Sequence, residues 1–389
     1  MNNFSGELQK IKVGLLNDSF IPQTDGVVMA VKNYAKILHE KYGGVVVAAP
    51  NFPGYKDKED YKVIRYPSSP GGEKIGYRIG NPFSISSVRK LKAEKLGILH
   101  AHCPFSAMVL ARFARKHMRV PIVLTYHTKF EIDIQKKVGL SGLKLASTKL
   151  ILNNISAADE VWAVSKGAGQ SLRNIGYHGP FKVMENGTDF ARRRSSKYEI
   201  AALRELYGVG DDICFLFVGR MMWYKNIKFT LDALKIIHDR GVPFKMIFVG
   251  EGYDKEDIIS YAKQLGILGK CVFTGLITDR EKLRIHYSLA DLFLFPSLYD
   301  TNGLVVREAS ACDLGSVVIR DSCAAESVPN EQSAILIDDN LESYAEAIYQ
   351  AAMKKDSLAA LGRNAGDNIY LSWDDAVARA YVRYGEILG

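Results

Sequence analysis

The stretch ADLFLFPSLYDTNGLVVREASACDLGSVVI, Ala290–Ile319, consists of two apolar runs separated by a polar turn and a segment with helical spacing. The runs Ala290–Pro296 and Ser316–Ile319 are continuous rather than alternating, as strands buried on both faces of a parallel sheet require. Between them the spacing predicts a helix with Asn302 as N-cap and Gly303 as its first residue. Strand, crossover helix and strand make a βαβ unit, so the chain reads as α/β.

The same alternation runs outward in both directions. Before it stand ICFLFVG, FKMIFVG and CVFTG, and after it AILI; nearer the start come IKVGLL, GVVVAA, KVIRY, GILHAH, VPIVLTY, EVWAV and FKVM. Helical stretches such as NIKFTLDALKIIHDRG separate them. Two Rossmann-like units are implied, which suits 389 residues, too many for one core. The polar segment FARRRSSKYEIAALRELYGVGDD divides them, giving domains at 1–193 and 204–365. A last helix over 366–389, with Ala376, Ala380, Tyr381, Tyr384 and Ile387 as its apolar stripe, is expected to return to the first domain. Ligands of open parallel sheets bind at the carboxyl ends of the strands, so two such domains facing each other should line a cleft.

Bulk composition, 47% hydrophobic and 24% charged, is that of a soluble globular chain. No run of about 18 apolar residues is present, and MNNFSGELQK lacks the pattern of a secretion signal, so a cytoplasmic location is expected. The five cysteines form no CxxC pair, which argues against both a disulfide framework and a zinc site. Residues 1–190 hold 27 Lys and Arg against 15 Asp and Glu, a net of +12, while residues 191–389 hold 24 against 28, a net of −4. A basic first half fits an anionic membrane surface, with Arg112, Arg115, Lys116 and Arg119 on one predicted helix and Arg89, Lys90, Lys92 and Lys95 on another; a merely solvated face is the plain alternative. No motif interleaves aromatics with these cations, so nucleic acid is not expected as a partner.

At the end of the FLFV strand, Gly219 is followed by Arg220 and Lys225, two cations on one loop where a diphosphate leaving group would need neutralising. The amides of Gly303, Leu304 and Val305, at the positive end of a helix, form a site for an anion. Glu308, one to two turns on, can accept hydrogen bonds from ribose hydroxyls, and Asp300 can hold hydroxyls of whatever the phosphate carries. A turn-forming Asp300 and a helix-dipole Glu308 are the structural alternatives. His127 and His102 each end a strand in the first half; either could be only a capped, satisfied side chain.

FVGR with Lys225 and Asn226, FVGEG at Phe248–Gly252, FTG at Phe273–Gly275, FPS at Phe295–Ser297, and an acid followed eight positions later by Glu308 resemble the family-four retaining glycosyltransferases of the GT-B fold, over nearly the whole chain. The resemblance implies transfer of a hexose from a nucleotide sugar, a UDP-sugar above all, to a lipid or glycan with retained configuration, without cofactor or metal. It makes Arg220 and Lys225 the pyrophosphate clamp, Glu308 the ribose ligand and Asp300 the sugar ligand. Gly219, Glu251, Leu276, Asn302 and the amides of Gly303, Leu304 and Val305 join them around the donor. NDSFIPQTDGVV resembles the family's glycine-rich loop, placing Gly26 and Val27 near the donor phosphate, and His127 matches the histidine near the transferred sugar.

Three positions depart from the family: Asp300 replaces its first glutamate, Asp25-Gly26 its double glycine, and Asp313-Leu314-Gly315 its Gly-Leu-Pro. LYDTNGLVVREA with PQTDGVV resembles the subgroup that includes bacterial diacylglycerol glucosyltransferases, which suits peripheral attachment to the inner face of the plasma membrane. Rival readings are a GT-B module that binds sugar or stabilises a partner without catalysis, and a transferase acting on a soluble small molecule. The acceptor and the oligomeric state are not written in the sequence.

Overall fold

The computed structural model describes residues 10–71, 77–127 and 141–389, with backbone alone at 141–147. The chain divides into two units, Met1–Asn186 with Trp373–Gly389, and Gly187–Ser372.

In the first unit the strands are β1 (Val13–Leu16), β2 (Val45–Pro50), β3 (Lys62–Tyr66), β4 (Ser68–Pro70), β5 (Arg78–Gly80), β6 (Ile98–Ala101), β7 (Ile122–Tyr126), β8 (Glu160–Ala163) and β9 (Lys182–Val183). Seven of them form one parallel sheet in the order β3-β2-β1-β6-β7-β8-β9. VVVAAP of β2 and IVLTY of β7 are buried at every residue, because crossover helices cover both faces. The antiparallel pair β4–β5 is not among the strands read from the sequence, because its alternation is too short to register as a period.

The second unit holds β10 (Ile213–Val218), β11 (Phe244–Val249), β12 (Cys271–Gly275), β13 (Leu292–Phe295), β14 (Ser316–Ile319) and β15 (Ile335–Ile337). Their order, β12-β11-β10-β13-β14-β15, is all parallel and reverses direction between β10 and β13. Strand order reverses in the same way between β1 and β6 of the first unit. At such a reversal the loops after the two central strands part and leave a crevice for ligands.

The divide falls at 186/187 rather than at 193. Phe190 is buried against the second unit's core, Arg192 pairs with Asp313 at 3.3 Å, and the Ser195 amide donates to Ser288 Oγ at 2.9 Å, so residues 187–195 fold with the second unit. The helix Leu358–Asn368 stays with the second unit, and the final helix begins at Trp373. That helix belongs to the first unit: Tyr381 stacks on Tyr42 at 4.2 Å, its hydroxyl accepts from the Ile11 amide at 2.7 Å, and Arg383 pairs with Glu160. Ala376, Ala380, Tyr381 and Tyr384 are buried as the stripe predicts; Ile387 is half-buried.

Candidate functional site

Three strand-end loops of the second unit are fastened to one another by backbone. The Gly219 amide donates to Val249 O and the Met221 amide to Glu251 O, both at 3.0 Å, and the Trp223 amide donates to the Asp254 carboxylate at 2.9 Å. Gly250, at φ +142°, allows this approach, since a Cβ there would lie 1.9 Å from Gly219 O. Asn226 Nδ2 donates to Pro296 O at 2.9 Å and so joins the loop after β10 to the loop after β13. The reversal of strand order is therefore a rigid floor.

Lys225 and Asp300 rise from the two sides of that floor and pair at 2.7 Å, with side chains 13% and 21% exposed. The second carboxylate oxygen of Asp300, Oδ2, is buried with no partner. Arg220 is exposed and has no ion-pair partner among the described residues. One cation is thus pre-neutralised and the other is open.

The helix after the β13 loop starts one residue later than the sequence predicts. Gly303 itself is the N-cap, at φ +60° and ψ +38°, and the helix runs Leu304–Ala311. A left-handed cap suits glycine, and a Cβ at this position would meet Ala324 Cα at 2.9 Å; Asn302, expected as the cap, is instead 7% exposed with Nδ2 unpartnered. No hydrogen bond engages the amides of Gly303, Leu304 and Val305 among the described residues. Three unpartnered donors at a helix start, on the loop whose Asp300 holds Lys225, suit an anion such as a diphosphate.

Glu308 lies in the second turn with both carboxylate oxygens held: Arg280 reaches one at 2.7 Å and the Tyr287 hydroxyl donates to the other at 2.8 Å. Burial, and then the charge of Glu308, push the Tyr287 phenol well above its ordinary value, so it remains a donor. Arg280 is itself fixed by Asp189 and lies over the Phe190 ring at 4.1 Å. Arg280 and Tyr287 escape the sequence reading. Their spacing of seven, two turns on one helix face, was the available signal. Of the remaining donor candidates, Glu251 is engaged by Lys255 at 2.7 Å, and Leu276, just after β12, is 67% exposed.

In the first unit the expected glycine-rich loop is occupied from within. Asp25 caps the helix Gly26–Lys41, and its Oδ1 accepts from the amides of Val27 and Val28, each at 2.8 Å. The Val27 amide is consequently not open to a phosphate in this conformation, and a carboxylate already sits on the helix dipole. Gly26 faces open space, with nothing within 4 Å of a Cβ built on it. Asp18, at the end of β1, accepts from the Ala107 amide at 2.8 Å and from Ser106; burial raises its carboxyl pKa.

His127 follows β7, is 6% exposed, and its Nε2 lies 2.9 Å from His102 Nδ1. Burial lowers its pKa to about 3, so the imidazole is neutral at physiological pH. No group of three or more His, Cys, Asp or Glu side chains among the described residues is arranged to hold a metal ion.

Comparison with known proteins gives a consistent result. The family model "Glycosyl transferases group 1" matches residues 202–367, and "Glycosyltransferase Family 4" matches residues 24–192. The alpha-monoglucosyldiacylglycerol synthase of Acholeplasma laidlawii is 24% identical over 91% of this chain and 92% of its own. The GDP-mannose-dependent alpha-(1-6)-phosphatidylinositol dimannoside mannosyltransferase of Mycobacterium tuberculosis is 30% identical over 70% of this chain and 69% of its own. Among solved structures, Anabaena Alr3699/HepE in complex with UDP superposes with a TM-score of 0.73 at 19% identity, covering 97% of this chain and 99% of that one, which shows the GT-B fold.

Proposed function

We propose, on the premise that this chain belongs to the glycosyl transferases of group 1, that it moves a hexose from a UDP-sugar to the hydroxyl of a membrane lipid with retained configuration. The observation that carries the reading is the set of unpartnered amides at Gly303, Leu304 and Val305, on the loop whose Asp300 pairs with Lys225, with Glu308 held in the second turn of the same helix. In the transfer, the bond from the anomeric carbon to the diphosphate oxygen breaks and its electron pair leaves with the diphosphate, the acceptor hydroxyl oxygen bonds to that carbon on the same face, and the hydroxyl proton passes to the departing diphosphate oxygen. The amides and the two cations stabilise the charge that develops there, Lys225 turning from Asp300 to do so. Glu308 accepts from the ribose hydroxyls. Asp300, whose Oδ2 is unpartnered, accepts from a hydroxyl of the hexose. For His127 the family resemblance alone suggests a role at the transferred sugar.

UDP is favoured over GDP by the likeness to a UDP-bound structure, against which stands a relative named for GDP-mannose. A lipid acceptor draws support from two relatives named for glucosyldiacylglycerol and phosphatidylinositol mannoside products. Surface chemistry supports it too: Phe83 and Ile85, 66% and 60% exposed, adjoin Arg89, Lys90, Lys92 and Lys95, all exposed. Apolar side chains beside unpaired cations suit an anionic bilayer surface. On the neighbouring helix Arg112 and Arg115 are instead turned to Asn154 and Asp159, which leaves Lys116 and Arg119 for that surface. No helix of the described residues is long and apolar enough to cross a membrane.

The test is release of nucleoside diphosphate from a panel of UDP-, GDP- and ADP-sugars, with diacylglycerol vesicles as acceptor. Release from the UDP-sugar alone supports the reading. Release from none of them overturns it and leaves a sugar-binding module.

A further inference from the structure

The first unit holds a run of buried histidines of which the proposed transfer uses only one. His100 lies in β6, His102 just after it, and His127 just after the neighbouring β7. Their rings form a continuous layer: His100 and His102 centroids are 4.1 Å apart, and His102 and His127 stack at 5.2 Å. His100 is saturated, with the Tyr384 hydroxyl at 2.6 Å from Nδ1 and Thr125 Oγ1 at 2.7 Å from Nε2. His102 and His127 share one hydrogen bond, 2.9 Å between Nδ1 of the first and Nε2 of the second. Burial keeps both neutral, so each ring carries one proton.

Two neutral rings joined this way have two possible arrangements. If His127 Nε2–H donates, His102 must hold its own proton on Nε2. If His102 Nδ1–H donates, His102 Nε2 keeps only a lone pair. That Nε2 is buried and has no hydrogen-bond partner. A buried N–H without an acceptor is the rarer and costlier defect, so the second arrangement wins.

We propose that His102 is a positioning residue that donates Nδ1–H to His127 Nε2 and thereby fixes His127 as the tautomer protonated at Nδ1. His127 Nδ1 has no partner among the described residues and is not enclosed by them. Resting on the reading that His127 meets the transferred sugar, the consequence is that it acts as a hydrogen-bond donor to a sugar oxygen. It does not serve as a base, because its only lone pair is already taken.

The full chain labelled with 15N at its eight histidines tests this, each signal being assigned by a single His→Gln substitution. His127 is expected to show a protonated Nδ1 and a bare Nε2; the reverse would overturn the proposal. His102→Asn, whose amide can place an N–H where Nδ1 stood, should keep that tautomer and the wild-type KM for the sugar nucleotide. His102→Phe should release His127 to the Nε2–H form and raise that KM roughly fivefold, about one neutral hydrogen bond, while leaving affinity for the free nucleoside diphosphate unchanged. An unchanged tautomer in His102→Phe contradicts the proposal. Should His102→Phe fail to fold, the wild-type and His102→Asn spectra still decide. The expected tautomer in a protein that turns over no sugar nucleotide would instead refute the proposed function and leave this inference standing.

Discussion

Lys225 and Asp300, 75 residues apart, form a salt bridge of 2.7 Å across the point where the second sheet reverses its strand order. The bridge has a cost to function and a use. Lys225 cannot meet a diphosphate at full strength while Asp300 holds it, yet the pairing keeps both side chains aimed at the same crevice before a ligand arrives.

Removing either cation separates binding chemistry from stability. Arg220→Ala, at an exposed and unpaired position, should lower kcat/KM about a hundredfold, roughly 3 kcal/mol for one donor to a developing charge, with unfolding free energy unchanged within ~0.5 kcal/mol. Lys225→Ala should lose as much activity and also about 1–2 kcal/mol of stability, because Asp300 is left without its partner. Steady-state kinetics and urea unfolding of both variants check this; equal stability losses would show that the bridge contributes nothing.

Tyr287→Phe keeps the ring in the core and deletes one donor to Glu308. The carboxylate should then turn more freely, weakening UDP binding about tenfold, or ~1.4 kcal/mol. Discrimination between UDP and 2′-deoxy-UDP should shrink along with it. Calorimetric titration of both nucleotides reads the effect, and undiminished discrimination would remove Glu308 from the ribose.

Gly303→Ala forces a non-glycine residue to φ +60° with its Cβ 2.9 Å from Ala324 Cα. About 1–2 kcal/mol of stability should go to the backbone alone, and the helix start should shift enough to weaken nucleotide binding. Gly269→Ala serves as the control, since nothing lies within 4 Å of a Cβ built there, and it should bind and fold as wild type.

Acid should destabilise the first unit through its buried histidines, against a smaller opposing contribution from Asp18, whose carboxyl pKa burial raises so that the folded chain takes up its proton first. His100, His102 and His127 are held neutral by burial, with His127 lowered to about 3, whereas in the unfolded chain each gains a proton near pH 6.5. Below that value the unfolded state binds more protons, so stability falls as pH drops, by about 1.4 kcal/mol per pH unit for each histidine. Tryptophan fluorescence of a Trp223→Phe variant follows this unit through Trp162 and Trp373, both buried, and urea midpoints at pH 7 and pH 5.5 should differ clearly. Coincident midpoints would mean that the histidines are not neutral in the folded state.

The strands of the two sheets were legible because segments such as ICFLFV and VVVAAP are continuously apolar, as strands buried on both faces of a parallel sheet require, whereas their order within each sheet was not. Where the candidate residues lie was legible as far as it depends on strand ends: Arg220, Lys225 and Asp300 fall on loops after strands, and Glu308 in the second turn of the helix that follows. What it could not show was pairing between distant residues. Lys225 taken up by Asp300, Glu308 by Arg280 and Tyr287, and the Val27 amide by Asp25 all depend on tertiary approach. The cap at Gly303 rather than Asn302 was missed for a local reason: the spacing permits both, and the contact with Ala324 that demands glycine lies 21 residues on.

The most direct test of the account is a crystal of the full chain soaked with UDP. Density should place the diphosphate against the amides of Gly303, Leu304 and Val305 and within reach of Lys225 and Arg220, with the ribose hydroxyls on Glu308. A diphosphate bound anywhere else, or a ribose directed away from Glu308, would contradict it.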